Sequence, residues 1–161
     1  MLDIRKFAPR ELCGTVLAIT TGFSIDSTSS KTLAVAFGHI LAGVSSKTLE
    51  HFGQLILSKR FQRYDEGRIG NMQRYGTEKP PTYEVSNIVS PVLLICGQND
   101  WVSSLRDVKE LSRRLRSLVE TYVIPEAYWS HNDHVWGREA PKLVYKKILD
   151  NFNLYGTDKG V

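Results

Sequence analysis

Two histidines flank an acid in "YWSHNDHVWG", residues 128 to 137, giving His131, Asp133 and His134 within four positions. Imidazole is the side chain that titrates closest to neutrality, so the cluster suits general acid–base chemistry. A further acid, Asp100, closes the stretch "GQND". In nucleophilic catalysis an imidazole needs two companions. One is a carboxylate that fixes its tautomer and stabilises its charged form; the other is a nucleophile whose proton it removes. The alternative chemistry is metal binding, since His-x-x-His with a carboxylate can hold zinc. The remaining histidines, His39 and His51, lie far upstream on candidate helices. Such a site would be short of ligands, so no metal and no organic cofactor is expected.

Strands must position these groups. "PVLLIC" (91–96), bounded by Pro91 and Gly97, is a continuous apolar run of strand length, the signature of a parallel strand covered on both faces. "SSLRDVKELSRRLRSL" (103–118) follows, with Leu105, Val108, Leu111, Leu115 and Leu118 at helical steps. Ser104 with Asp107 forms a capping-box start for this helix. "ETYVIP" (120–125) reads as a second strand. "APKLVYKKILDNF" (140–152) then places Ala140, Val144, Ile148 and Phe152 on one helical face, with Pro141 suited to the first turn. Strand–helix–strand–helix is the right-handed crossover unit of a parallel α/β sheet. In such sheets functional groups gather beyond the carboxyl ends of the strands. Asp100 follows the first strand and His131 the second, so the two are expected side by side. Asp before His is the order of the α/β-hydrolase triad.

The upstream half is helical in character. Residues 9–21 and 31–42 are candidate helices separated by the polar turn "SIDSTSS". "SSKTLEHFGQLILSKRF" (45–61) has a serine start signal and an apolar stripe of Leu49, Phe52, Leu55 and Ile56. Gln62 to Pro81 is polar and glycine-rich and reads as a long surface excursion. The division predicted is a mostly helical region with its connecting loop over 1–81 and an α/β segment over 82–161.

At 161 residues, with 42% hydrophobic and 24% charged residues, the chain has the composition of an ordinary globular protein. Its net charge of +4 is spread among acids, with small basic clusters only at "SKRFQR" and "SRRLR". A nucleic-acid surface needs a concentrated basic stripe with interleaved aromatics, so no nucleic-acid partner is expected. The apolar stretches are too short and interrupted to span a bilayer. Glu11 and the polar residues 20–22 interrupt the only candidate signal-peptide core, so no targeting segment is read. Cys13 and Cys96 are too far apart in sequence for a metal knuckle and form one bridge or none.

Three stretches together resemble the acid lipases, a family that includes gastric and lysosomal lipases and insect relatives. They are "ILAGVSSKTLEHFGQLILSKRFQRYDEG", "NMQRYGTEKPPTYEVSNIVSPVLLICGQNDWVSSLRDV" and "HNDHVWGREAPKLVY". The resemblance runs from about Glu11 to about Phe152. Its most specific elements are G-x-N-D after a strand and H-x-D-x-x-W-G before the last helix. It implies a partial α/β-hydrolase fold: a helical cap segment, then the last strand–helix–strand–helix unit of the parallel sheet. By the same likeness Asp100 is the triad acid and His131 the triad base. The family has an aromatic residue where His134 stands, so His134 is a substituted position. Asp133 is read as a group holding the histidine loop, Trp101 as substrate-side, and Trp136 as packing. The same likeness makes 1–81 a cap-like region, in which "TLAVAFGHILAGV" fits either the border of a lipid entrance or cap core.

The departure from the family concerns the nucleophile. These lipases carry it in a G-x-S-x-G elbow, whose glycines the strained strand-to-helix turn requires. "GFSID" and "GVSSK" come nearest, and neither has the second glycine. The resemblance therefore implies the carboxyl-terminal part of a triacylglycerol or steryl ester lipase, inactive by itself, with a lipid ester as the substrate of the complete enzyme. The rival reading is a non-catalytic lipase remnant acting as a binding module. The family implies a secreted or lysosomal setting and transient contact with a lipid surface. Two strands alone leave an unpaired sheet edge, so self-association is expected. Cys13 matches a cap cysteine whose partner position in gastric lipases is not a cysteine here; Cys96 is expected to pack as a small apolar residue.

Overall fold

In the computed structural model, which describes residues 21, 27–39 and 45–155, the two apolar runs pair as parallel strands. Strand β1 spans Val92–Cys96 and β2 spans Leu118–Val123, joined by helix α4 (Leu105–Arg114). Three helices precede them in the chain: α1 (Ser30–His39), α2 (Ser46–Ser58) and α3 (Gly67–Tyr75). After β2 come a short helix α5 (Asp133–Trp136), a π-helical turn (Pro141–Tyr145) and helix α6 (Lys146–Tyr155). The chain gathers into two compact units. One is formed by the described residues up to 39 together with those from Ile88 onward, the other by those from Ser45 to Asn87.

The first unit contains the sheet. Its core is Ile124, Trp129, Ala140 and Val144, all buried, with Ile95, Tyr122, Leu143 and Ile148 packed against them. The face predicted for the last helix is present at its first three positions, whereas Phe152 is 66% exposed. Pro141 does stand in a first helical turn, but that turn is π-helical. The residues of β1 before Cys96 are half-buried, not enclosed on both faces. Along β2 burial alternates, with Val119, Thr121 and Val123 outward. Pairing slips once, between Val92 and Leu93, which pair with Leu118 and Glu120.

Helix α4 begins as predicted: Ser104 Oγ accepts from the Asp107 N–H at 3.2 Å and donates to Asp107 Oδ2 at 2.7 Å. It ends earlier than predicted. Leu115 is already extended, and Leu118 opens β2 two residues ahead of the expected start. Leu115 is buried all the same, so the leucine period continues past the helix because burial, not helicity, selects it. In α1, Ser29 Oγ accepts from the Thr32 N–H at 3.1 Å, an N-cap interaction. The candidate helix at 9–21 lies outside the described residues except for Thr21, as do residues 40–42 of the second and the first three residues of the "SIDSTSS" turn.

In the second unit, α2 occupies the predicted place, although its N-cap Ser45 makes no side-chain capping bond. The excursion read over Gln62–Pro81 is corrected: it contains α3 and is tightly tied. Its organiser is Asn71, 1% exposed. Its Oδ1 accepts from the Glu66 N–H at 2.9 Å, and its Nδ2 donates to Asp65 Oδ1 at 2.7 Å and to the Glu78 carbonyl at 3.0 Å. Gln54 exchanges two bonds with the Asp65 backbone, and Gln62 pairs with Thr82 in an antiparallel bridge. Buried polar groups must be hydrogen-bonded, and here an amide provides the order that apolar periodicity elsewhere provides.

Candidate acid–base site

The site forms where the loops after β1 and β2 meet. Gly97 lets them approach: a Cβ there would come 2.3 Å from the Trp129 carbonyl oxygen, which no side chain tolerates. The same carbonyl accepts from the Asn99 N–H at 2.9 Å. Gln98 Nε2 donates to the Ile124 and Pro125 carbonyls at 2.9 and 3.1 Å, and the Ile124 N–H donates to the Cys96 carbonyl at 2.9 Å. The two strand ends are therefore held together through their backbones before any catalytic side chain is considered.

Asp100 and His131 are brought together by this. Asp100 is 7% exposed. Its Oδ1 accepts from the backbone N–H groups of Val102 and Ser103, at 2.9 and 2.8 Å. Its Oδ2 lies 3.1 Å from His131 Nδ1. With one oxygen occupied by two fixed donors, the carboxyl cannot rotate, and the other oxygen is aimed at the ring. An ionised carboxylate only accepts, so Nδ1 carries the proton of the bond, and in the neutral ring Nε2 keeps its lone pair. The His131 side chain is 48% exposed. The pair thus combines a buried, immobilised acid with a base open to an incoming group, an arrangement able to relay a proton at Nε2.

Asp133 does not face the ring. It is fully buried, and its Oδ2 accepts from the Ser130 N–H at 2.8 Å and the Ser130 hydroxyl at 2.7 Å. Its Oδ1 accepts from the Ser27 hydroxyl. His134 is half-buried, with its ring edge-on to Trp129 at 6.2 Å and 85°. Burial pushes its imidazole below the ordinary value; the Asp100 carboxyl opposes this, His131 adds to it and Asp133 opposes it. Trp101, beside the acid, is 63% exposed and donates to Asn99 Oδ1 at 3.0 Å. Trp129 is core, 1% exposed. Trp136 is half-buried and, with Thr32, Val35, Ala36 and His39, lines an open cavity of about 300 Å³. Cys96 is buried, and burial followed by the Asp100 carboxyl pushes its thiol up, so it is a packing residue. Cys13 lies outside the described residues. Among the described residues no three His, Cys, Asp or Glu side chains are arranged to hold a metal ion.

Four features of the site escaped the sequence reading: the Val102 and Ser103 amides on Asp100, and the two serine hydroxyls on Asp133. An aspartate accepting from the amides two and three residues on is the ordinary behaviour of this side chain in turns, so "DWVS" carried a signal for the first two. Ser27 and Asp133 are 106 positions apart, and nothing local announces their bond.

Parallel strands joined by a helix, with an acid–imidazole pair beyond their carboxyl ends, define an α/β arrangement. No protein-family model matches the chain. Individual proteins do. It is 31% identical over 90% of its length to Lipase 3 of Drosophila melanogaster. It is 32% identical over 91% to the human lysosomal acid lipase/cholesteryl ester hydrolase, and 29% identical over 86% to human lipase member M. The chain belongs to the acid lipase family. It spans about a third of the length of these relatives: 37%, 36% and 33%.

Proposed function

We propose that this chain supplies the acid and the base of a carboxylic ester hydrolase acting on triacylglycerols or steryl esters. The observation that carries the proposal is the 3.1 Å contact between His131 Nδ1 and an Asp100 carboxyl immobilised by two backbone amides. His131 Nε2 takes the proton of a serine hydroxyl as it attacks the ester carbonyl, and returns it to the leaving alcohol. The acyl-enzyme is then opened by water through the same two proton transfers. Asp100 keeps the proton on Nδ1 and stabilises the imidazolium that forms at each transfer. The serine belongs to a G-x-S-x-G elbow, a pattern these 161 residues do not contain, so the catalytic unit is larger than this chain. The described α/β elements then form the last strand–helix–strand–helix unit of an α/β-hydrolase sheet, and residues 1–81 a cap region. The relative named as a cholesteryl ester hydrolase supports the steryl ester choice, and the lysosomal names support a lysosomal or secreted setting. Among the described residues no helix is long and apolar enough to cross a membrane.

The test uses a short-chain ester and the complete protein that contains this chain. His131→Ala lowers kcat by roughly three or more orders of magnitude with little change in KM, and Asp100→Asn by roughly four, because the tautomer is lost. Unchanged turnover in either variant overturns the assignment. The absent elbow also favours a second reading, a binding module without catalysis. Esterase activity of the 161-residue chain that disappears in His131→Ala would exclude it.

A further inference from the structure

We infer that Asp133 is a positioning residue for His131, holding the base through a closed turn with Ser130 that Ser27 anchors. The inference rests on the acid–base reading of Asp100 and His131, and assigns the group that fixes the second member of that pair. Asp100 is immobilised by its own backbone neighbours, whereas His131 is half exposed and needs its ring fixed from the other side. Residues 130 to 133 form a ring of bonds around it. The Asp133 N–H donates to the Ser130 carbonyl at 3.2 Å, and Asp133 Oδ2 accepts from both the N–H and the hydroxyl of Ser130. His131 and Asn132 are the only residues inside this closure. The peptide joining Ser130 to His131 is therefore held at its amino-terminal neighbour, which fixes the backbone from which the His131 ring reaches Asp100.

The clamp is itself anchored. Ser27 donates to the other oxygen of Asp133, and its carbonyl accepts from the Arg138 N–H at 2.9 Å, beyond α5. Asn132 Nδ2 donates to Thr21 Oγ1 at 2.9 Å. Ser130 and Asp133 are both fully buried, so these bonds do not compete with water. A buried carboxyl with both oxygens engaged by three donors costs desolvation, and a turn needing only a helix start would be satisfied by an exposed cap. Its place two residues after the base, and its closure over that base, give the cost a function.

The test reads the ring rather than stability. In the ¹⁵N-labelled 161-residue protein, the Nδ1 proton of His131 gives a low-field resonance, and the ring nitrogens report a single tautomer. Asp100→Asn abolishes both signatures. Asp133→Asn retains the fold, seen as an otherwise preserved amide spectrum, but loses the single tautomer and the low-field proton. Ser130→Ala removes one of three bonds and speeds exchange of that proton about fivefold. An unaltered His131 signature in a folded Asp133→Asn protein overturns the inference. If that variant does not fold, an unaltered signature in Ser130→Ala does so instead. Absence of the resonance from the unsubstituted protein, or its survival in Asp100→Asn, overturns the acid–base pair and the clamp together.

Discussion

His134 bears on the chemistry around the site without bonding to the acid–base pair. Its imidazole makes an aromatic contact, edge-on to Trp129. Unlike a phenyl ring, it must become charged on acidification, in a place where burial and His131 oppose the charge more than Asp100 and Asp133 support it. The folded protein therefore binds this proton less readily than the unfolded chain. For a histidine whose folded value is depressed, the contribution to stability is intact above the ordinary value of about 6.5 and is lost as pH falls below it. His134→Phe removes the titrating group and keeps the ring contact. Thermal unfolding measured from pH 7.5 to 5 is expected to show a smaller loss of Tm in His134→Phe than in the unsubstituted protein. Equal slopes would show that His134 is solvated in solution.

The elements differ in how openly the sequence declared them. β1, β2 and the start of α4 were legible because each rests on a local rule: a bounded apolar run, or a serine followed three residues later by an acid. The juxtaposition of Asp100 with His131 was legible for the same reason, since parallel strands put their carboxyl ends together. The end of α4 was not, because Leu115 is buried whether or not the helix continues. α3 was hidden because Asn71, not an apolar stripe, organises it, and an amide's partners are chosen by tertiary structure. The two serine starts separate local signal from local energy. Ser104 accepts from the Asp107 amide, whereas Ser45 makes no side-chain bond. Ser104→Ala is expected to cost about 1 kcal/mol, a fall in Tm of roughly 2–4 °C for a chain of this size. Ser45→Ala is expected to leave Tm nearly unchanged. Circular dichroism melting of the two variants checks the contrast; equal losses would mean that propensity, not capping, sets both helix starts.

At the scale of the molecule, the chain spans about a third of the length of its relatives, and its sheet has only two strands among the described residues. β1 is half-buried, and Val119 and Val123 of β2 are 36% and 41% exposed. Beside the sheet, Leu93, Ile95 and Val119 line an open groove of about 420 Å³ together with Ile148, Phe152 and Tyr155 of α6. Apolar surface of this kind next to unpaired strand edges favours association, because main-chain groups and side chains can be satisfied in one step. The 161-residue chain by itself is therefore expected to self-associate, with an apparent mass by size-exclusion chromatography and light scattering that rises with concentration. Lysine on the exposed face of a terminal strand opposes such pairing through charge and side-chain entropy. Val123→Lys places one there without disturbing the Ile124–Trp129 core, so it is expected to shift the population toward monomer while leaving Tm within a few degrees. A sharp monomeric peak for the unsubstituted chain at high concentration would mean that its apolar surface is covered within the chain itself, and that the two-stranded sheet is sufficient alone.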